Sequence, residues 1–234
     1  MIDIHCHLLP DVDDGPSSWE ESIEMSKIAV NDGIKYSITT PHWIQGTKWQ
    51  PDPGLITDKV FELNSRLADQ GINLKVFSGM EIGISENLSE LLDSDSLLTL
   101  ANTKYVLLEI PILNLPFGIE RIMFELNSKG FVPVLAHPER NRVLQKDPEK
   151  IQELIDFGAS VQITSGSLFG LYGEGAKDCA TEFARLGCVD IVASDAHSAR
   201  GRRPEISNGL DYIKDISGED LKERILAFME NFIN

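Results

Sequence analysis

The sequence predicts an α/β fold on a single domain spanning residues 1–234. Three observations predict it. Short apolar runs alternate with amphipathic stretches, the pattern of strands and helices in turn. The helical stretches close on glycine, at Gly33, Gly71, Gly130, Gly158 and Gly187. All five histidines, His5, His7, His42, His137 and His197, fall at or just past the end of an expected strand. In a barrel of parallel strands the carboxyl ends open on one face, so strand-end residues far apart in sequence converge there.

Taken in order, residues 2–5 form the first expected strand, ending in Ile4-His5-Cys6-His7. Alternate side chains share a strand face, so His5 and His7 point together and Cys6 points away. A loop over 8–16 carries Asp11, Asp13 and Asp14 before Gly15-Pro16. Ser17 or Ser18 caps the next helix, with Glu20 and Glu21 in its first turn. Strand two, 36–40, delivers Pro41-His42, and 43–54 reads as a mobile loop before a helix over 55–69. Strand three, 74–78, leads into Gly79-Met80-Glu81. Strand four, 105–108, delivers Glu109, and a helix covers 119–128. Strand five, 132–136, delivers His137-Pro138-Glu139-Arg140, followed by a helix over 148–157. Strand six, 160–163, precedes a helix over 175–186. Strand seven, 191–193, delivers Ser194-Asp195-Ala196-His197. Helical stretches over 206–213 and 220–232 close the chain.

A length of 234 residues suits one large domain, and 42% hydrophobic residues supply its core. No low-complexity segment, long linker or internal repeat divides it. The formal net charge of −16 disfavours nucleic acid and anionic membranes. The most apolar long stretch, 105–119, is broken by Glu109, Asn114 and two prolines, which argues against membrane insertion. Three cysteines, Cys6, Cys179 and Cys188, form no disulfide framework. With no leader pattern at the start, the expectation is a cytoplasmic protein.

Three acids share the strand-end position of the histidines: Glu81, Glu109 and Asp195. Singly, each has a plain structural reading: Glu109 as a salt-bridged mouth residue, His42 as a turn residue, Asp195 as a helix cap. Together, five imidazoles and several carboxylates on one face suit hard-to-borderline divalent ions. Their number exceeds the needs of one tetrahedral zinc, so two or three ions are expected.

His5-Cys6-His7, Asp13-Asp14-Gly15, Thr40-Pro41-His42, Gly79-Met80-Glu81, His137-Pro138-Glu139-Arg140 and Ser194-Asp195-Ala196-His197 resemble the polymerase and histidinol phosphatase (PHP) superfamily. More narrowly, the chain resembles its bacterial capsule-associated, manganese-dependent tyrosine phosphatases. The resemblance covers essentially the whole chain. It implies a distorted seven-stranded β/α barrel with a trinuclear metal centre. By this resemblance His5, His7, Glu81 and Asp195 hold one ion. Glu81 bridges to a second, held also by Glu109 and His137, and Asp14, His42 and His197 hold the third. Elsewhere in the superfamily histidines often stand at the positions of Asp14 and Glu109. Carboxylates there favour Mn²⁺ or Mg²⁺ over Zn²⁺; the resemblance implies Mn²⁺, with Mg²⁺, Fe or Zn²⁺ as alternatives. The implied partner is a phosphotyrosine protein, the tyrosine-rich tail of a bacterial kinase of exopolysaccharide synthesis.

The chemistry expected is in-line attack on phosphorus by a metal-bridging hydroxide. Arg140 would neutralise the phosphoryl oxygens, helped by an arginine of the 199–203 loop; family spacing favours Arg202, with Arg203 and Arg200 as its rivals. Trp43, Trp49 and Phe117 are candidates for a wall beside the tyrosine ring or for plain packing. Cys179 and Arg185 satisfy the C-x5-R spacing of thiol-dependent phosphatases. The intervening residues hold no glycine and read as helix, where backbone N–H groups cannot cup a phosphate. Rival readings are a histidinol-phosphate phosphatase and a metal-binding regulatory module without activity.

Overall fold

A computed structural model describes residues 1–233. Among the described residues, nine parallel strands form two sheets. β1 (Ile2–Cys6), β2 (Tyr36–Thr39) and β4 (Lys75–Ser78) make a three-stranded sheet in the order β1-β2-β4. β3 (His42–Trp43), β5 (Glu81–Gly83), β6 (Tyr105–Glu109), β7 (Val132–Ala136), β8 (Ser160–Thr164) and β9 (Ile191–Ala193) make the other, in that order. The strands are buried on both faces, with β1 and β8 buried at every residue. That is the pattern of parallel strands covered by helices.

The sequence reading expects seven strands; the described residues form nine, in two sheets not joined by a ladder. Expected strands two and three, 36–40 and 74–78, are found as β2 and β4, and each is followed by a short further strand, β3 and β5, in the other sheet. Pro41 has no N–H to give a ladder, and the chain breaks beside it between β2 and β3. Gly79 breaks the other strand between β4 and β5. A side chain there would meet Ile38 Cγ2 at 3.0 Å and Leu100 Cδ2 at 3.2 Å, so the backbone passes where only glycine fits. β1 and β9 are joined by no regular ladder. Asp195 N–H donates to the His5 carbonyl and His7 N–H to that of Ala196, both at 2.8 Å. The buried Asp3 carboxylate reinforces this seam by accepting from Ser194 N–H at 3.0 Å and from Ser194 Oγ at 2.5 Å.

The helices follow their signals closely. α1 (Trp19–Asn31) is capped by Ser18, whose hydroxyl accepts from Glu21 N–H. α2 (Pro53–Asp69) starts two residues earlier than expected, because Asp52 caps it and Pro53 opens it. The short α3 (Leu88–Asp93) was not foreseen. α4 (Ile119–Ser128) matches its expected range. α5 (Arg142–Lys146) was also not foreseen; its cap Asn141 accepts from Val143 and Leu144 N–H. α6 (Ile151–Asp156), α7 (Glu174–Arg185), α8 (Ser207–Ser217) and α9 (Glu219–Met229) complete the set. Residues 44–49, expected to be mobile, form a tied turn: Ile44 N–H donates to the Trp49 carbonyl at 2.7 Å. Among the described residues, no helix is long and apolar enough to cross a membrane.

Candidate metal centre

The carboxyl ends of the strands converge as the sequence suggested. β1 brings His5 and His7, β3 brings His42 and β5 brings Glu81. β6 ends in Glu109, His137 follows β7, and Asp195 and His197 follow β9. Cys6 faces away, bonded to Ser37 Oγ at 2.9 Å and the Ile38 carbonyl at 3.3 Å. His137 and Asp195 both take left-handed backbone, at φ 34° and 50°. Such strain in non-glycine residues persists where surrounding structure enforces it, often at working sites.

Three groups of donor atoms come together, each within 4.8 Å: His5, His7, Glu81 and Asp195; His7, Asp14, His42 and His197; and His42, Glu81 and Glu109. The first is the set implied by resemblance. In the third, His42 stands where the resemblance put His137. The His137 ring bonds Glu81 Oε1 at 2.7 Å and so touches the centre through that carboxylate.

The electrostatics of the cluster require a cation. His7 Nδ1 faces Asp13 Oδ2 at 2.5 Å and donates to it, because an ionised carboxylate only accepts. Its Nε2 lone pair is then aimed at Glu81 Oε2, 3.3 Å away. His5 is arranged alike: Nδ1 meets Gln162 Oε1 at 2.8 Å, and Nε2 faces Glu81 Oε2 at 3.2 Å and Asp195 Oδ1 at 3.4 Å. Among the described residues, His5 Nε2, His7 Nε2, His42 Nδ1, Glu81 Oε2, Asp195 Oδ1 and His197 Nε2 are buried without hydrogen-bond partners. Lone pairs and carboxylate oxygens pointed at one another repel unless positive charge lies between them.

The same tension shifts the proton affinities of the cluster. Burial opposes charge on His7, yet the Asp13 and Glu81 carboxylates override it and raise its pKa to about 10. Burial, then the Glu81 charge, pushes Glu109 up to about 7. Burial and the Arg140 charge hold His137 down at about 4. Divalent ions would supply the charge that protons otherwise must.

The arginines occupy the other side of Asp195. Arg140 Nη2 donates to Asp195 Oδ2 and, at 2.7 Å, to Thr164 Oγ1. Arg202 Nη2 lies 2.5 Å from the same Oδ2. Its loop is folded back by His197 and Ser198 N–H groups, which both donate to the Arg202 carbonyl. Arg203 instead pairs with Glu205 at 3.1 Å, and Arg200 is exposed. Tyr172 stacks its ring on Arg140, 3.5 Å from centroid to guanidinium carbon, and lies 5.6 Å from Arg202. The Nε–H groups of both arginines are buried and unpaired.

Sequence reading missed Asp13, Gln162, Thr164 and Tyr172 as supports. Asp13 sat in view beside Asp14, and its role follows only from its 2.5 Å contact with His7. Of the three aromatic candidates, Trp43 is buried in the core, Trp49 stacks on His42 at 5.1 Å and Phe117 is fully exposed. Cys179 lies buried on α7 beside the Leu144 carbonyl, and burial with the Glu139 and Glu182 charges keeps its thiol protonated. Arg185 pairs with Glu182 on the exposed face of that helix.

A family model for capsular polysaccharide synthesis, CpsB/CapC, matches residues 1–233. The tyrosine-protein phosphatase YwqE of Bacillus subtilis is 38% identical over 221 residues, 94% of this chain and 87% of its own. The tyrosine-protein phosphatase CpsB of Streptococcus agalactiae is 30% identical over 237 residues, 99% of this chain and 96% of its own. Among solved structures, a chain from crystal structures of YwqE from Bacillus subtilis and CpsB from Streptococcus pneumoniae, described as unique metal-dependent tyrosine phosphatases, superposes with a TM-score of 0.95. It is 37% identical and covers 100% of this chain and 94% of its own. Motifs, strand-end ligands and whole-length matches agree: the chain belongs to the CpsB/CapC family of capsular polysaccharide synthesis.

Proposed function

We propose that this protein is a metal-dependent protein-tyrosine phosphatase that removes phosphate from tyrosine in bacterial capsule or exopolysaccharide synthesis. The observation that carries the reading is the set of unpaired, buried donor atoms on His5, His7, His42, Glu81, Asp195 and His197. Three divalent ions fit that set, with Asp14, Glu109 and His137 completing the ligands. The carboxylates favour Mn²⁺ over softer-site metals. When bound, such ions activate water near neutral pH and draw charge from a phosphoryl group.

The chain's own residues do the rest. Asp13 and Gln162 fix the His7 and His5 rings so that each turns its Nε2 to the centre. The unpaired Nε–H groups of Arg140 and Arg202 are donors for phosphoryl oxygens. Asp195 and Tyr172 hold those guanidinium groups in place before substrate arrives. The tyrosine phenolate, with a conjugate-acid pKa of about 10, leaves without strong acid help. The two sheets act as one distorted barrel of seven strand paths, with the site at its mouth. The substrate proposed is the tyrosine-rich tail of a cytoplasmic bacterial kinase, and the enzyme is cytoplasmic with it.

The test pairs metal analysis of the purified protein with turnover of a phosphotyrosine peptide under added Mn²⁺, Mg²⁺ and Zn²⁺. Histidinol phosphate serves as the competing substrate. Metal-bound protein that hydrolyses histidinol phosphate and leaves phosphotyrosine intact would overturn the reading.

A further inference from the structure

A groove of about 410 Å³ opens beside the metal centre, lined by Ile44, Ile84, Ser85, Glu109, Pro111 and Ile112 among others. Glu109 belongs to both, so the groove is continuous with the site. Its walls are chiefly aliphatic, and no lysine or arginine lines it. The Ser85 hydroxyl in this groove is buried and has no partner among the described residues, a polar group left for a ligand.

The rim is apolar and exposed. Ile112 is 51% and Leu113 76% accessible, in a segment that also holds Pro111 and Pro116. Exposed aliphatic side chains are ordinary singly, but here they border a groove leading to a reactive centre. The segment is also fastened to the catalytic one. Asn141 Nδ2, next to Arg140, donates to the Pro111 carbonyl at 2.7 Å and to that of Asn114 at 3.0 Å. Arg142 N–H donates to the Ile112 carbonyl at 2.7 Å. The rim therefore keeps a fixed position relative to Arg140, as a substrate-reading surface must.

We propose that this groove is a peptide subsite that receives an aliphatic or aromatic residue flanking the phosphotyrosine and disfavours an acidic one. The proposal rests on the tyrosine-phosphatase reading and adds the class of sequence preferred. Two features set that class: the apolar walls gain from burying an apolar side chain, and with no lysine or arginine in the lining a carboxylate would lose its water there without gaining a partner.

The experiment uses the metal-loaded full chain and three substrates: p-nitrophenyl phosphate, a phosphotyrosine peptide flanked by leucine, and the same peptide flanked by glutamate. The expected result is a preference for the leucine peptide of roughly tenfold in kcat/KM, carried by KM. The double variant Ile112→Ser/Leu113→Ser should erase the preference while p-nitrophenyl phosphate turnover stays at the wild-type level, which also shows that the variant is folded. Equal use of both peptides by the wild type would overturn the subsite, as would a preference unchanged in the variant. So would a concentration-dependent dimer lost in the variant without any peptide preference, which would give this face to a second copy. A wild type that cleaves p-nitrophenyl phosphate but neither peptide strikes down the phosphatase reading itself, and the subsite with it.

Discussion

The two sides of Asp195 differ in what they lack. Its Oδ1 looks toward His5 and His7 among groups whose polar atoms are unpaired, whereas its Oδ2 is held by Arg140 and Arg202. The histidine side gathers ring nitrogens and carboxylate oxygens suited to cations; the arginine side carries its own positive charge, braced by Thr164 and by the Tyr172 ring. The difference teaches that the two halves do separable jobs. On the function proposed above, metal retention would belong to one half and phosphoryl recognition to the other, joined by a single carboxylate.

The sharpest way to break this division is to empty the histidine side. Excess chelator should take phosphotyrosine turnover below detection, and Mn²⁺ should restore it; full activity with metal loss confirmed by elemental analysis would refute it. His7→Ala should lower metal content and activity together. Next comes the arginine side. Arg140→Ala should leave the bound metal intact and cut kcat/KM by roughly 10²–10⁴-fold, about 3–5 kcal/mol of transition-state stabilisation. Arg140→Lys should recover only part, since lysine lacks the planar fork. Elemental analysis beside kinetics decides, because inactivity caused by metal loss would merge the two halves.

A smaller effect tests the brace. Tyr172→Leu should lower kcat/KM about fivefold, the scale of one partly desolvated cation–π contact. Tyr172→Phe keeps the ring and should stay near wild type. In the Arg140→Ala background the Tyr172→Leu effect should largely vanish; full additivity would show that Tyr172 acts elsewhere. The smallest effect is expected at a residue in neither half: Cys179→Ser should keep turnover within about twofold, since a buried, protonated thiol is no nucleophile. A thousandfold loss in a folded variant would restore the thiol mechanism.

Most of the histidine side was legible because its candidate ligands sit at or just after an apolar run, a local signal that parallel α/β topology converts into proximity; Asp14, in the 8–16 loop, came only from the family resemblance. Arg140 was legible from its motif, and the turn returning Arg202 to Asp195 agrees with its spacing. Tyr172 and Thr164 carried no such signal; their contacts with Arg140 exist only once β7 and β8 lie side by side. The strand breaks were half visible. Pro41 forbids a ladder bond on inspection, but the constraint on Gly79 comes from Ile38 and Leu100, which only packing brings near. The caps Asp52 and Asn141 stood in the sequence as ordinary polar residues, so α2 starts earlier than expected and α5 went unforeseen.

The seam between the first and last strands has a consequence for biosynthesis. Asp3 and Ser194 are 191 residues apart, and His5 and His7 meet Asp195 and His197 only across that seam. Contacts of such long sequence separation form late, after most of the chain has been ordered. A nascent chain leaving the ribosome therefore carries its first two ligands exposed for most of synthesis, with no centre to fill until β9 emerges. Chains stalled before residue 191 should fail to hold manganese against a competing metal dye, and chains released at full length should hold it. On the proposed ligand set, metal would enter only as translation ends.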